Sequence, residues 1–458
     1  MAQCGMRIGA LIVGAGLMLC AAGAHAADPA LPRLTVQRPA TGDDGLAMSG
    51  PRYAKACERL LRETYGARVA GENAWPQVVE LINQHIGLVE QLAAPLPGSD
   101  KRRRVMPESL YDQNAEQQQW LEDLKSTRAL AREMIARSER EGLFVKMAAL
   151  CTKYNIKRPD NAGVLSSWKF LAISNMREMA RLNVARMQLA ADANDWTSLA
   201  SAYEDTLMLA RVAATEPLLV SQLVGYATSG LARRELRRHV LHATPNEAIL
   251  GELMEMGERQ GPFAAPAVWL DGERMFLMDM VDDKSFPDNK REAVPLIEGF
   301  FEGMSSIAGV PRWKLDASAF DPAAFVKKKV RAGTMLGQVL PAFENNLRSW
   351  DVVRTDVNGT RVLLAVLKYK AERGEYPATL EALVPGQLAA VPEDSWQRGG
   401  LVYKRFEKAD ESGRGFILYS VGLDGTDNGG VTNTEAGKSA FEAGGKGTDF
   451  VFNPGKGG

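Results

Sequence analysis

The chain has 458 residues, 45% of them hydrophobic and 24% charged, with 55 basic against 56 acidic side chains. That is the composition of an ordinary globular protein, and the even charge balance supplies no overall field for nucleic acid or an anionic membrane. Mean hydropathy is -0.19, and only residues 1–30 hold an apolar run long enough to weigh as a membrane span. Polytopic membrane proteins, disordered tails and collagen-like chains are therefore excluded.

The N-terminus reads as an export address. Met1 to Arg7 carries one positive charge, Ile8 to Ala24 is apolar, and Ala24-His25-Ala26 puts small residues before a cut at Ala27. This is the order of a secretory signal peptide. Residues 1–26 are expected to be removed, leaving a periplasmic protein that is not membrane-embedded. An uncleaved anchor and lipidation at Cys20 are the alternatives, and Leu19 is large for the residue preceding a lipidated cysteine. Residues 27–50 read as a linker. The mature chain keeps Cys57 and Cys151, which either pair in an oxidising compartment or serve as small buried hydrophobes.

Helical periodicity then dominates. Tyr53, Cys57, Leu60, Leu61 and Tyr65 recur at three-to-four spacing, and Val78, Val79, Ile82, Ile86 and Val89 form a second apolar face. Pro95, Pro97 and Gly98 stop that pattern, and the basic run Lys101 to Arg104 reads as a solvated loop. A further helix is expected from about Asn114 to Glu141. The stretch from Leu165 to Gly261 is nearly unbroken helix former, with a turn at Asn194-Asp195 and a boundary at Glu216-Pro217. Thr244-Pro245-Asn246-Glu247 reads as a capping box with Thr244 as N-cap, and Asp321-Pro322 starts another helix. These patterns predict residues 51–350 as an all-α helical domain, a helical-hairpin array or bundle.

Little of this stretch carries recognisable chemistry. His239 and His242 stand three apart, but no carboxylate completes a zinc set and Arg237-Arg238 would repel a cation. Asp279, Asp282 and Asp283 could pair for acid–base work, though a solvated helix end explains them as well. No phosphate loop, G-x-S-x-G elbow or H-E-x-x-H occurs. The methionines of the helical faces, such as Met176, Met179 and Met187, read as core filler.

Composition shifts near residue 375. From Gly422 onward, 11 of 37 residues are glycine, and β-type segments appear at Leu401–Arg405, Phe416–Ser420 and Phe450–Phe452. Residues 352–458 are therefore expected to form a small α+β module. Thr360 to Pro385 reads TRVLLAVLKYKAERGEYPATLEALVP, followed by Asp394-Ser395-Trp396, Tyr403, the run Leu418 to Gly425 (LYSVGLDG) and Gly429-Gly430. These linked motifs resemble the globular domain of the major pseudopilin of type II secretion. The resemblance covers about the last hundred residues and implies an amphipathic helix followed by a short sheet. It implies the module's fold alone, because the segment ahead of it is charged rather than a strongly apolar filament helix.

Residue spacing and the resemblance both point to calcium at one loop. Asp424, Thr426, Asn428 and Glu435 set oxygens at intervals around the glycine turn at Gly429, as hard cations require. The pseudopilin pattern implies instead backbone oxygens near Val421 together with Asp424 and Asp449. The candidate ligands are thus Val421, Asp424, Asn428, Glu435 and Asp449; an ordinary Asp-Gly turn is the competing reading. With no local catalytic motif, the chain reads as an exported, non-enzymatic structural or interaction protein with an unidentified protein partner in the envelope. The alternative is a periplasmic hydrolase whose carboxylate or metal site lies in a helical groove.

Overall fold

The computed structural model describes residues 51–92, 124–157, 171–261, 263–282, 286–432 and 447–455. The expected signal peptide and linker, the basic run at 101–104, the helix start at 114–123, Asp283 and Glu435 lie outside these residues. Within them the protein is mainly helical with one small antiparallel sheet. The helices are α1 (Pro51–Tyr65), α2 (Trp75–Leu92), α3 (Leu124–Arg140), α4 (Leu143–Leu150), α5 (Leu171–Asp192), α6 (Trp196–Ala213), α7 (Leu219–His242) and α8 (Glu247–Gln260). They continue as α9 (Pro266–Asp282), α10 (Lys290–Ile307), α11 (Pro322–Lys329), α12 (Met335–Val339) and α13 (Ala342–Arg373). Strands β1 (Val402–Arg405), β2 (Phe416–Ser420) and β3 (Phe450–Val451) pair in that order, with Tyr403 opposite Leu418 and Ser420 opposite Phe450.

Short polar side chains start many of these helices. Asp195 accepts from Ser198 N at 3.0 Å to open α6, and Asp321 accepts from Ala324 N at 2.9 Å with Pro322 behind it to open α11. The expected box at α8 is corrected by two residues. Asn246, not Thr244, is the N-cap and accepts from Ile249 N at 3.0 Å, which makes Glu247 the first helical residue. The Thr244 hydroxyl is already used, donating to Val240 O at 3.0 Å in the last turn of α7. Asp279 also serves as a cap, accepting from Arg52 N and Tyr53 N at the start of α1 while Arg52 bridges to Asp282.

Three apolar cores follow. The first joins α2, α3 and α4 to one side of α5 and α6 through Ile82, Met147, Met179 and Val212. The second takes the other side of α5 and α6 and adds α7, α8, α13 and the sheet, with Leu199, Leu236, Leu363 and Leu418 at its centre. The third packs α1, α9, α10 and α12 around Trp269, Phe300, Phe301 and Phe343. Each of these large side chains is buried, which contributes roughly 1.5–3 kcal/mol apiece. Arg211 lies among the largest fully buried side chains, and its guanidinium accounts for its burial. It donates to Leu150 O, Cys151 O and Lys153 O at and just past the end of α4, and stacks on Tyr154.

Helix α13 positions everything downstream. It runs unbroken through residues 350–352, where the expected domain boundary falls, and ends only at Gly374, whose φ of 80° suits glycine. Its first turns therefore belong to the third core and its last turns to the core beneath the sheet. No disulfide joins Cys57 to Cys151.

Candidate functional site

The C-terminal module is held on the helices by two contacts of different chemistry. At the first, Gly359 of α13 faces the ring of Phe452. A Cβ there would lie 2.0 Å from Phe452 Cζ, so only glycine allows this approach. Beside it, Arg233 and Arg237 of α7 both bond the Asp356 carboxylate, and Arg237 also reaches Thr360 Oγ1. All three charged groups are buried. Burial alone would raise the Asp356 carboxyl, but the two guanidiniums hold it below the usual carboxylate range. Arg237 also lies over the rings of Phe450 and Phe452 at 5.9 and 5.6 Å.

At the second contact, residues 309–314 strap the 393–396 segment down. Arg312 N donates to Ser395 O at 2.8 Å, and Trp313 Nε1 reaches Asp394 O at 3.4 Å. Arg354 of α13 donates to Ser395 Oγ and Gly309 O, while Asp351 ties Arg312 to Arg354. Asp394 is fully buried, and burial pushes its carboxyl up to about 6 against the opposing pull of Ser420 and neighbouring amides.

The loop after β2 carries the expected ligands. Residues Gly422–Asp424 make a short 3-10 turn that ends at Gly425, with φ of 66°. Val421 is buried, while Asp424 is exposed and bonds Thr426 N at 3.0 Å and Gly447 N at 2.8 Å. The hydrogen bonds from Gly447 and Thr426 hold its carboxyl below the ordinary value. Asp449 is buried and accepts from Asn428 N and Gly430 N, the latter at 2.7 Å. Its own N–H donates to Val431 O at 2.7 Å. The structure thus brings Asn428 and Asp449 into direct contact and carries Asp424 to the chain two residues before Asp449. Gly430 has φ of 82° and stands against Ile417, where a Cβ would lie 2.2 Å from Cδ1. The loop cannot lift from the sheet at that point without losing this contact.

Chemically, this arrangement gathers Asp424, Asp427 and Asp449 on a turn built by backbone amides. Asp427 accepts from Tyr419 OH at 2.8 Å. Each carboxylate oxygen retains acceptor capacity beyond the amides it already binds. Among the described residues no three carboxylate, imidazole or thiol groups gather at a spacing that would hold a metal by themselves. Backbone oxygens would have to supply the rest of an oxygen shell there. Asp427 was not among the sequence-derived candidates; its position beside Tyr419 follows from the turn and not from residue spacing.

Other reactive side chains are held apart. Cys151 is buried, and burial together with the nearby Asp205 carboxylate pushes its thiol far above the usual range, which makes it a poor nucleophile. His239 is buried beside Glu235, 2.8 Å from its Oε1, whereas His242 is exposed, so the two imidazoles do not share a site. His85 is buried in α2, neither ring nitrogen has a hydrogen-bond partner among the described residues, and burial lowers its pKa to about 4. The ionic contact of Arg233, Arg237 and Asp356 went unread in the sequence, where only the four-residue spacing of the two arginines on one helical face hinted at it.

No protein-family model matches this chain, and no curated protein or solved structure is similar to it.

Proposed function

We propose that this chain is an exported, non-enzymatic structural or interaction protein of the cell envelope. Its helices act as a scaffold for a pseudopilin-like C-terminal module, and it engages a protein partner there. The observation that carries this reading is the fastening of the module to the helices. One continuous helix, a glycine–phenylalanine contact and a buried ionic contact fix the module in a single orientation. Such fixing suits presentation of a surface more than a mobile catalytic lid. Leu423 and Val431, exposed at 40% and 53%, flank the acidic loop and give it an apolar rim.

Calcium is the ion that this loop would take. Asp424 and Asp449 supply charge, the Asn428 side chain and backbone oxygens from Val421 onward supply neutral ligands, and Glu435 is a further candidate. The ion would screen the clustered carboxylates and tie the two ends of the loop together. No reaction is assigned to it.

The test is thermal unfolding of the full chain with calcium and with chelator, for the natural sequence and for Asp424→Ala. Calcium is expected to raise the midpoint of the natural chain, with a stabilisation of about 2.7 kcal/mol at a hundred times the dissociation constant. The variant should lose that rise. An unchanged midpoint in the natural chain would end the calcium reading. A photo-crosslinker at Leu423 or Val431, used in intact cells, tests the partner separately. Crosslinks to one envelope protein at both positions support the interaction reading, and their absence at both counts against it.

A further inference from the structure

The corner formed by α11, the turn after it and the start of α10 concentrates positive charge in a protein that is otherwise balanced. Helix α11 is held by its apolar side: Phe325 and Phe320 pack edge-on against Phe300, with centroids 5.7 and 6.0 Å away. Phe320 lies so close to Gly303 of α10 that a Cβ there would stand 2.3 Å from the ring. The helix is therefore seated rigidly, and its remaining face is turned to water.

That face carries Lys327, Lys328 and Lys329, followed by Arg331, and all four are exposed. Lys329 lies over the Phe325 ring at 4.7 Å. Lys327, Lys328 and Arg331 make no ion pair among the described residues. The turn that follows brings in more cations. Met335 N and Leu336 N bond the Asp288 carboxylate at 3.1 Å each, which places the exposed Lys290 and Arg291 at the same corner. The nearby acids are engaged locally: Asp288 by those two amides, and Glu292 by Asn289.

A favourable interaction with the C-terminal end of a helix accounts for lysines in the last turn of α11. It does not account for Arg331 beyond the helix, nor for Arg291 on another element. These cations are exposed and stand on three stretches of chain, the start of α10, the end of α11 and the turn after it, so a single small anion engages only a few of them. A surface of many phosphate groups can meet several at once.

We propose that this corner, led by Lys327, Lys328 and Arg331, docks the protein peripherally on an anionic lipid surface. No covalent step is involved, and no described helix is long and apolar enough to cross a membrane. The attraction is electrostatic and falls off within a Debye length.

The experiment is co-sedimentation of the full chain with two kinds of vesicle. One is phosphatidylcholine alone, and in the other about a third of the lipid is phosphatidylglycerol. Binding to the anionic vesicles only, lost on adding salt, is expected. Each cation near such a surface contributes roughly fivefold to the partition. The triple variant Lys327→Gln, Lys328→Gln, Arg331→Gln should therefore bind roughly a hundredfold more weakly. Its unfolding midpoint should stay close to that of the natural chain, since these side chains make no ion pair among the described residues and give up only the weak interaction with the helix end. Equal binding by the triple variant overturns the proposal, as does failure of the natural chain to bind anionic vesicles at low salt. Binding to a soluble polyanion such as heparin but not to vesicles would overturn it as well, by assigning the patch to a different class of partner.

Discussion

In the core shared by α5 to α8, α13 and the sheet, two buried guanidiniums meet one buried carboxylate. On α2, which lines the neighbouring core, the buried imidazole of His85 meets no hydrogen-bond partner among the described residues. Both arrangements avoid an isolated buried charge, by different means. Asp356 stays charged because Arg233 and Arg237 surround it, whereas His85 stays neutral because burial disfavours its protonated form. The first arrangement is directional: it fixes α7 against α13 beside the seat of the sheet. The second is tolerated as filler and orients nothing. Buried polar groups therefore mark where this molecule needs a unique orientation only when they are paired.

Removing the shared carboxylate should break the comparison most severely. Asp356→Ala leaves two guanidiniums buried with no counter-charge, and breaking a buried pair in this way costs about 3–5 kcal/mol. Denaturant unfolding of the full chain measures it. A loss under about 1 kcal/mol would mean that water reaches the arginines and that the contact does not orient the module.

His85 gives the opposite experiment, since its effect appears only on acidification. Its folded-state pKa of about 4 lies below the unfolded value of about 6.5, so the unfolded chain takes up the proton first. Stability from this group is whole above pH 6.5 and drains away as pH falls towards 4, by about 3 kcal/mol in total. His85→Leu should flatten the part of the stability curve between those limits. An identical pH slope in the variant would show that the imidazole reaches solvent or a partner.

The sequence and the structure agree where a local pattern decides the outcome. Apolar spacing located α1 and α2, turn chemistry located the Asn194-Asp195 turn and the helix start at Asp321, and the β-type run at Phe416–Ser420 is β2 residue for residue. Disagreement begins where two local solutions compete. Thr244 and Asn246 can each cap a helix, and the winner depended on Val240 O already claiming the threonine hydroxyl. The division near residue 351 was unreadable for a related reason. Composition shifts only near residue 375, and α13 runs on through 351, where Asp351, Val352, Val353, Asp356 and Thr360 are all buried. At the candidate loop, residue spacing pointed to Asp424 and Asn428 and the pseudopilin resemblance to Asp449, but neither spoke of the amides that bind them. Asp449 turns inward while Asp424 stays exposed, and residue counting does not tell the two apart.

The smallest expected effect sharpens the comparison by testing shape without charge. Gly359 lies three residues after Asp356 on the same helix, so its contact with Phe452 and the ionic contact occupy one patch of α13. In an exposed helix, glycine to alanine would stabilise by about 1 kcal/mol. Here the new methyl would stand within bonding range of a phenylalanine ring that is itself fully buried, so the ring must move or α13 must shift. Overpacking of this kind costs about 1–3 kcal/mol, which outweighs the gain in helix propensity. Gly359→Ala should therefore destabilise the full chain, and amide exchange should quicken in β3 and the loop before it more than in α2. If it instead stabilises the protein, Phe452 has room to swing away, and the orientation of the module rests on Asp356 and its two arginines alone. The double variant with Asp356→Ala decides between these cases. Coupled losses, differing from additivity by more than about 0.5 kcal/mol, place the two contacts in one orienting unit, whereas additive losses make them independent fastenings.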